Sequence, residues 1–439
     1  MRLLIFGDSA GTGFGSVTRD LGSALLARGI DLRILSMNES AGVHIDKGWP
    51  EALRERIVML GHRDGWSALS GLTAAAEATR QAMLAQAKGV YTGSLPGGWT
   101  PEAVLFIGDP ASFEVSPWVR WLPETMPALH YVPIEGIGLP PAWRALWARV
   151  RPVAMSEFGA DQLEALLGSR PPVVYHGVDP EAFWPVSGSR PLVMRTRKMG
   201  PVRLTSRAEC RRFLGWKRDE TILFRADRHM PRKQFPAMLR AIGPVMRRHP
   251  SVRLILHCLS QDEGGSLPNE VSKYPDLEGR ISTTGHHDRG AGVPRAMLCA
   301  MYNAADLYVS TGAEGFGLTI AESLACGTPA VGLAYSSVPE VIGPAGVTVG
   351  WHLIDNIYSY FWARPNEAEL EAAVERLVLD PAERRMLGAL GPPHIARFRW
   401  DVAAERFEAL FAGLPLGEAL PPAPVGARMA ALGLVAGRA

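Results

Sequence analysis

The run EGFGLTIAE, from Glu314 to Glu322, places two carboxylates with seven residues between them around a glycine turn and a helix start. Gly315 and Gly317 let the backbone approach a ligand closely, and the free amides of a following helix N-terminus point at any anion held there. A nucleotide diphosphate sugar suits that chemistry, with hydroxyls for the carboxylates and a diphosphate for the amides. Thr319 with Glu322 also fits a capping box, in which Glu322 closes its own helix while Gly327 and Pro329 end it. Glu314 precedes the helix and has no such capping role, so it reads as functional. A second group lies in TILFRADRHMPRKQFPAMLRAI, where an apolar strand, Ile222 to Phe224, runs into Arg228 and Lys233 ahead of a helix. Fixed cations at a loop lower the barrier for a departing diphosphate by neutralising its charge. The plainer alternative is a solvated basic loop.

Three further stretches carry candidate groups. The loop GDSAGTGFGS follows the first apolar run and brings Gly11, Gly13 and Gly15 to a strand end. It invites a dinucleotide reading, with Glu39 near the end of the next strand. The glycines, however, come after a four-residue spacer and Ser16 stands at the third glycine position, so the fit to that fingerprint is poor. Asp109 follows VLFIG, and Glu135 follows HYVPI, so both should stand at carboxyl ends of strands, where open sheets bind ligands. His130 falls inside its strand and reads as a satisfied core histidine, which leaves Glu135 as the favoured acceptor-side group. No carboxylate pair can be assigned the nucleophile and acid-base roles of a retaining hydrolase. Nor does any cluster have metal-ligand spacing, so neither a metal nor a cofactor is expected.

The elements that must position these groups are apolar strands alternating with amphipathic helices, the rhythm of parallel sheets wrapped by helices. The strands expected in the first half are Leu3 to Phe6, Leu32 to Leu35, Val104 to Ile107, Ala128 to Val132 and Val173 to Tyr175. Those of the second half are Ile222 to Phe224, Leu254 to His257, Leu307 to Val309 and Ala330 to Gly332. His176 to Pro191, with Pro180, Pro185, Gly188 and Pro191, reads as the linker. The chain has 439 residues, 47% of them hydrophobic and 21% charged, enough for two substantial cores. A net charge of +2 makes no global case for a nucleic-acid partner. The four cysteines form no CxxC and read as reduced core residues of a cytoplasmic protein. No run approaches the roughly 20 apolar residues that span a bilayer, so no membrane insertion is expected.

Taken together, the two central motifs resemble the retaining glycosyltransferases of the GT-B fold, family 4, in which a loop Arg and Lys precede an E-x7-E element. The resemblance extends to MRLLIFGDSAGTGFGSVTRDLGSALLARGIDLRIL, MSEFGADQLEALL, YHGVDPEAFWP, LCAMYNAADLYVSTGAEGFGLTIAESLACGTPAVG and FRWDVAAERFEALF, most of the chain. It implies an α/β architecture of two Rossmann-like, doubly wound domains facing a cleft. Residues 1–180 would form the acceptor-side domain and 181–398 the nucleotide-sugar domain. A helix over 399–412 would cross back to the first domain, and 413–439 would be a tail. The implied reaction moves a hexosyl or pentosyl group from a nucleotide diphosphate sugar to a hydroxyl with retention and without metal, the leaving phosphate helping to deprotonate the acceptor. Arg228 and Lys233 would bind the diphosphate, Glu314 the donor sugar and Glu322 the ribose. The amides from Gly315 through Phe316 and Gly317 to Leu318, with Thr319, would complete the phosphate cradle, and Gly13 and Gly15 would face it across the cleft. Sugar-nucleotide epimerases share the fold, and a noncatalytic binding module is the third alternative.

The chain departs from the family pattern where Asp227 and Gln234 replace glycines and where His176 begins the junction motif. The variant DRHMPRK resembles a subgroup met in bacteriophages and large viruses. Arg190 to Arg218 carries eight further cations, from Arg195, Arg197 and Lys198 to Lys217, against the single acid Glu209. Phosphate contacts from such a segment would favour DNA, making a hydroxymethylated base an alternative acceptor. Trp143, Leu146, Trp147 and Val150 share one helical face, which reads as core in preference to a membrane-facing surface.

Overall fold

The computed structural model describes residues 1–36, 48–59, 85, 88–93, 95–110, 122–196, 200–284, 293–355 and 360–413. Glu39, Arg197, Lys198 and the tail beyond Gly413 lie outside the described residues. Six strands form a first sheet: β1 (Arg2–Gly7), β2 (Asp31–Ser36), β3 (Ile57–Met59), β4 (Ala103–Ile107), β5 (Ala128–Val132) and β6 (Arg151–Ala154). Their order is β3-β2-β1-β4-β5-β6, with every neighbour parallel. After an antiparallel hairpin, β7 (Leu192–Thr196) and β8 (Gly200–Leu204), a second sheet is built. It uses β9 (Thr221–Ala226), β10 (Val252–His257), β13 (Ile281–Thr283), β14 (Leu307–Val309), β15 (Ala330–Leu333) and β16 (Gly346–Val349). A two-residue pair, β11 (Gln261–Asp262) and β12 (Gly265–Ser266), lies between β10 and β13. The second sheet's order, β13-β10-β9-β14-β15-β16, repeats that of the first, and all its pairs are parallel. Each half is thus doubly wound, with its crevice outside the carboxyl ends of the strands.

The apolar runs become strands because helices cover both faces of each sheet. In β1, Leu3 and Ile5 are buried in one core while Leu4 and Phe6 are buried in another on the opposite face. Helix α1 (Gly13–Ala27) crosses from β1 to β2, and its Thr12 cap accepts from Gly15 N at 3.0 Å. Val173 to Tyr175 is no strand; it makes one bridge, Val173 to Ala154, and Tyr131 Oη takes the carbonyl of Val174 at 2.7 Å. A side chain there satisfies a backbone group that a neighbouring strand would otherwise need to pair. Strands β3, β6, β13 and β16 are short edge or near-edge pieces with no long apolar run, which is why pattern alone did not reveal them.

Helix α2 (Glu157–Leu167) follows β6, and after the linker a helix α3 (Arg207–Leu214) precedes β9. The chain's last described helix, Trp400–Phe411, packs on the first half. Arg28, which caps the C-terminus of α1, pairs with Glu408 at 2.7 Å, and Phe407 meets the Tyr131 ring at 5.0 Å. Its approach runs directly over Gly177, where a Cβ would stand 2.2 Å from Trp400 N. Val178 N donates to Phe398 O at 3.0 Å in the same crossing. A further antiparallel hairpin is formed by β17 (Trp351–Asp355) and β18 (Phe361–Pro365). It reaches the first half, where Ile137 N donates to Phe361 O at 3.0 Å and Phe361 N to Ile137 O at 2.9 Å. Trp143 and Trp147 are buried, and Trp143 packs edge-on against Tyr360 at 5.4 Å, so that aromatic face is interior. All four cysteines are free and buried, though Cys299 and Cys326 approach to 3.9 Å.

Candidate active site

Three strand ends deliver the charged groups. Lys233 and Arg232 follow β9 in a single tight turn, Pro231–Lys233; Glu314 follows β14; Glu135 follows β5 of the first sheet. Gln234, at φ 51°, turns the chain from that loop into helix α4 (Phe235–Arg248). That left-handed conformation is one glycine adopts without strain, and here Gln234 adopts it. Lys233 Nζ pairs with Glu314 and, at 2.6 Å, with Asp227. Arg232 donates to Ala313 O at 2.7 Å, reaches Glu314 at 3.4 Å and pairs with Glu135 at 3.1 Å. One guanidinium therefore joins carboxylates from both halves.

A deeper layer holds this loop. Arg225, within β9, has no exposed surface; it donates to Lys233 O and to Thr311 Oγ1, each at 2.6 Å, pairs with Asp227 at 3.2 Å and lies 4.1 Å over the Phe235 ring. Burial works to raise the Asp227 carboxyl, but Lys233 and Arg225 outweigh it and hold the group below the usual carboxylate range. Gly312 admits the Lys233 chain, since a Cβ there would meet Lys233 Cδ at 2.9 Å. Glu314 N donates to Ser336 Oγ at 2.9 Å, and Ser337 Oγ donates to the Glu314 and Phe316 carbonyls at 2.9 and 2.7 Å. The turn carrying Glu314 is fixed from both sides.

Arg228 is elsewhere. It makes a two-pronged contact with Asp262 at 2.6 and 3.0 Å and reaches Glu263 at 2.9 Å, on the β11–β12 hairpin, so the structure does not bring it to Lys233 and Glu314. The helix after the glycine turn, α5 here (Leu318–Ala325), starts at Gly317, φ 104°, with no side-chain cap. The capping box expected between Thr319 and Glu322 is not formed, because the helix begins at Gly317 and both residues lie within it; Glu322 accepts instead from Tyr302 Oη at 2.9 Å. Burial pushes the Glu322 carboxyl up to about 7, against the opposing pull of Arg295. Arg295 pairs with Asp20 of α1 at 2.6 Å and with Asp179 of the linker at 2.9 Å. Gly315 is required by the first half, as a Cβ would stand 2.3 Å from Pro133 Cβ, whereas Gly317 opens the turn. Phe316 is buried against His176, at 4.9 Å between rings.

On the first half, Gly15 fits tightly under Ala10 O, 1.9 Å from a would-be Cβ, while the position of Gly13 is open. His130 is fully buried; it donates to Gly108 O at 2.9 Å, accepts from Trp147 Nε1 at 3.1 Å, and burial pulls it down to about 3. It is a core residue. Burial pushes Glu135 up to about 7, against Arg232 and Lys233 and with Glu314 and Asp109 as like charges nearby. Asp109, at the end of β4, therefore lies within electrostatic reach of Glu135. The sequence marked Arg232 only as part of a variant motif and passed over Arg225, although a cation inside the strand TILFRA was a usable signal. Of the basic segment, Leu192–Thr196 pairs antiparallel with Gly200–Leu204 and Arg207–Leu214 is a helix. Arg207 and Arg211 are bound to Asp306, at 2.5 Å for Arg207, and Arg211 is buried. Among the described residues no His, Cys, Asp and Glu cluster could hold a metal ion, and no helix is long and apolar enough to cross a membrane.

Residues 219–380 match the family model of the glycosyl transferases group 1. Among curated proteins the chain is similar to the D-inositol 3-phosphate glycosyltransferase of Segniliparus rotundus, 28% identical over 226 residues that cover 51% of this chain and 47% of that protein. It is also similar to that of Thermomonospora curvata, 28% identical over 263 residues, 58% of this chain and 57% of that protein. The chain thus spans about half the length of these relatives. Among solved structures, sucrose-phosphate synthase from Thermosynechococcus elongatus superposes with a TM-score of 0.67 at 18% identity, covering 94% of this chain and 98% of that one. Anabaena HepE, in complex with UDP and glucose, superposes with 0.63 at 16% identity, covering 94% and 100%. The fold is GT-B, two Rossmann-like domains with parallel sheets.

Proposed function

We propose that this chain is a group 1 glycosyltransferase that moves a hexosyl or pentosyl group from a nucleotide diphosphate sugar to a hydroxyl acceptor, with retention and without a metal. The observation that carries this reading is the meeting of Lys233, Arg232, Glu314 and Glu135 at strand ends of both sheets, cations and carboxylates facing one crevice. Lys233 neutralises the diphosphate as the bond from the anomeric carbon to phosphate oxygen breaks. Glu314 contacts the donor sugar, and the uncapped amides from Gly317 onward take phosphate oxygens. Glu322, bound by Tyr302, receives the ribose hydroxyls. The acceptor hydroxyl forms the new bond on the same face and gives its proton to the leaving phosphate oxygen, while Glu135 accepts a hydrogen bond from a neighbouring hydroxyl of the same acceptor and so aims it. Arg228 reaches the diphosphate only on leaving Asp262 and Glu263.

For the acceptor we infer a small polyol hydroxyl, in keeping with relatives named for D-inositol 3-phosphate. Those names, together with the ion pairs that occupy Arg207 and Arg211, remove the support for DNA as acceptor. The test is a screen of UDP, GDP and ADP sugars against inositol phosphates and free polyols, read by product mass, with Glu314→Ala as control. Absence of product from every pair, with no nucleotide binding by calorimetry, overturns the reading.

A further inference from the structure

The proposed reaction uses Lys233 and Glu314 but leaves unexplained why a second cation, Arg232, is spent between two carboxylates. Its position is demanding. Both amide-like arms of the guanidinium are engaged, one on Ala313 O at 2.7 Å and Glu314 at 3.4 Å, the other on Glu135 at 3.1 Å. Only 17% of the side chain is exposed, and Glu135 matches it. Glu135 belongs to a loop that the second half grips at one more point, since Gly136 lies so close to Phe361 O and Tyr360 that a Cβ would overlap both, at 2.2 and 2.6 Å. The carboxylate is thus surrounded by Arg232, Lys233 and Glu314 of the second half, by Tyr360 of the hairpin and by Asp109 of its own sheet.

We propose that Arg232 is a positioning residue of the transfer: by bridging Glu135 and Glu314 it aims the acceptor-side carboxylate and lowers the cost of holding it charged inside the crevice. This rests on the glycosyl-transfer reading. Arg232 belongs to the donor half, so the carboxylate that orients the acceptor is completed by the half that holds the donor. Burial alone favours the neutral carboxyl, which would present a proton to the acceptor hydroxyl where an acceptor is wanted.

The test reads Glu135 without turnover. Melting temperatures of wild type and Glu135→Gln are compared from about pH 5 to about pH 9, and the same pair is compared in an Arg232→Met background. The difference within each pair follows protonation of the carboxyl. Its midpoint should lie near 7 with Arg232 present and rise by about one unit or more without it, with Arg232→Lys between. Kinetics complete it: Arg232→Met should raise the acceptor KM about tenfold or more while the donor KM changes by less than about twofold. An unmoved midpoint overturns the proposal, as does an equal rise in both KM values. Should Arg232→Met fail to fold, Arg232→Lys carries the same comparison. Should no nucleotide sugar be turned over by the wild type, the transfer reading falls, while the midpoints still decide the coupling of Arg232 to Glu135.

Discussion

Glu340 should be among the most costly single positions to truncate outside the crevice. Its carboxylate lies in the second half, buried, and accepts three hydrogen bonds from the first: Glu157 N and Phe158 N at 2.9 Å, the first amides of α2, and Tyr175 Oη at 2.7 Å. A helix of one half is therefore capped by an acid of the other, with the favourable dipole at its positive end. Glu340→Ala leaves two helix amides and a phenol hydroxyl without acceptors in a site closed to water. Each orphaned donor costs roughly 1–3 kcal/mol, and relief of the carboxylate's own burial offsets part of the sum. The net loss should be about 3–5 kcal/mol. Glu340→Gln keeps one acceptor oxygen and should lose about half as much. Denaturant unfolding followed by tryptophan fluorescence and by far-UV dichroism reads the loss, and the two probes should separate in the Ala variant as the halves uncouple. A loss below about 1 kcal/mol, with probes still coincident, refutes the view that this carboxylate fastens the halves.

Glu314→Ala should abolish transfer while nucleotide diphosphate binding by calorimetry is kept or tightened, because Lys233 and Arg232 lose a competing anion; wild-type turnover would remove Glu314 from the site. Lys233→Ala should raise the barrier by about 3 kcal/mol, the scale of one fixed donor to a developing anion, read in single-turnover rates. Arg228→Ala should cost less, since in this structure it is held by Asp262 and Glu263; an equal or greater cost refutes that ordering. Glu322 is raised in the folded protein, to about 7, so the fold binds its proton more tightly than the unfolded chain. Its contribution is full below the unfolded value near 4.5 and is lost as pH rises through about 7. Glu322→Gln should therefore melt with a flatter pH dependence than wild type between these values, and parallel melting curves would contradict it.

The sequence disclosed those parts of the molecule that obey a simple period. Runs such as LLIF and AVLFI are buried on both faces, so hydrophobic continuity located them and the strand ends that carry Glu135, Glu314 and Lys233. Val173 to Tyr175 misled because an apolar triplet can be satisfied by a tyrosine hydroxyl and a single bridge instead of a ladder. The site's pairings were not legible. Whether Lys233 or Arg228 meets Glu314 depends on where the β11–β12 hairpin puts Asp262, a contact 34 residues away in sequence. The same is true of Glu322, whose capping-box spacing is real but whose helix begins at Gly317, two residues before Thr319, leaving the carboxylate to Tyr302, 20 positions earlier on a neighbouring helix. Gly315 looked like an opening for ligand and is an opening for Pro133. Such competitions are settled by tertiary geometry, which a linear pattern does not contain.

The join between Ile137 and Phe361 is two amides exchanged for two carbonyls, and one hydroxyl from outside both segments, Tyr335 Oη, seals it by accepting from Ile137 N at 3.1 Å and donating to Phe361 O at 2.7 Å. Side chains on either strand can therefore change without unfastening it; a proline at one of the two positions is the substitution that would. The rim of the crevice beside Glu135 is accordingly free to diversify. Lineages of this chain could retune what they accept by altering Phe361, whose side chain is exposed there, while the seam that brings the two halves into register is inherited unchanged.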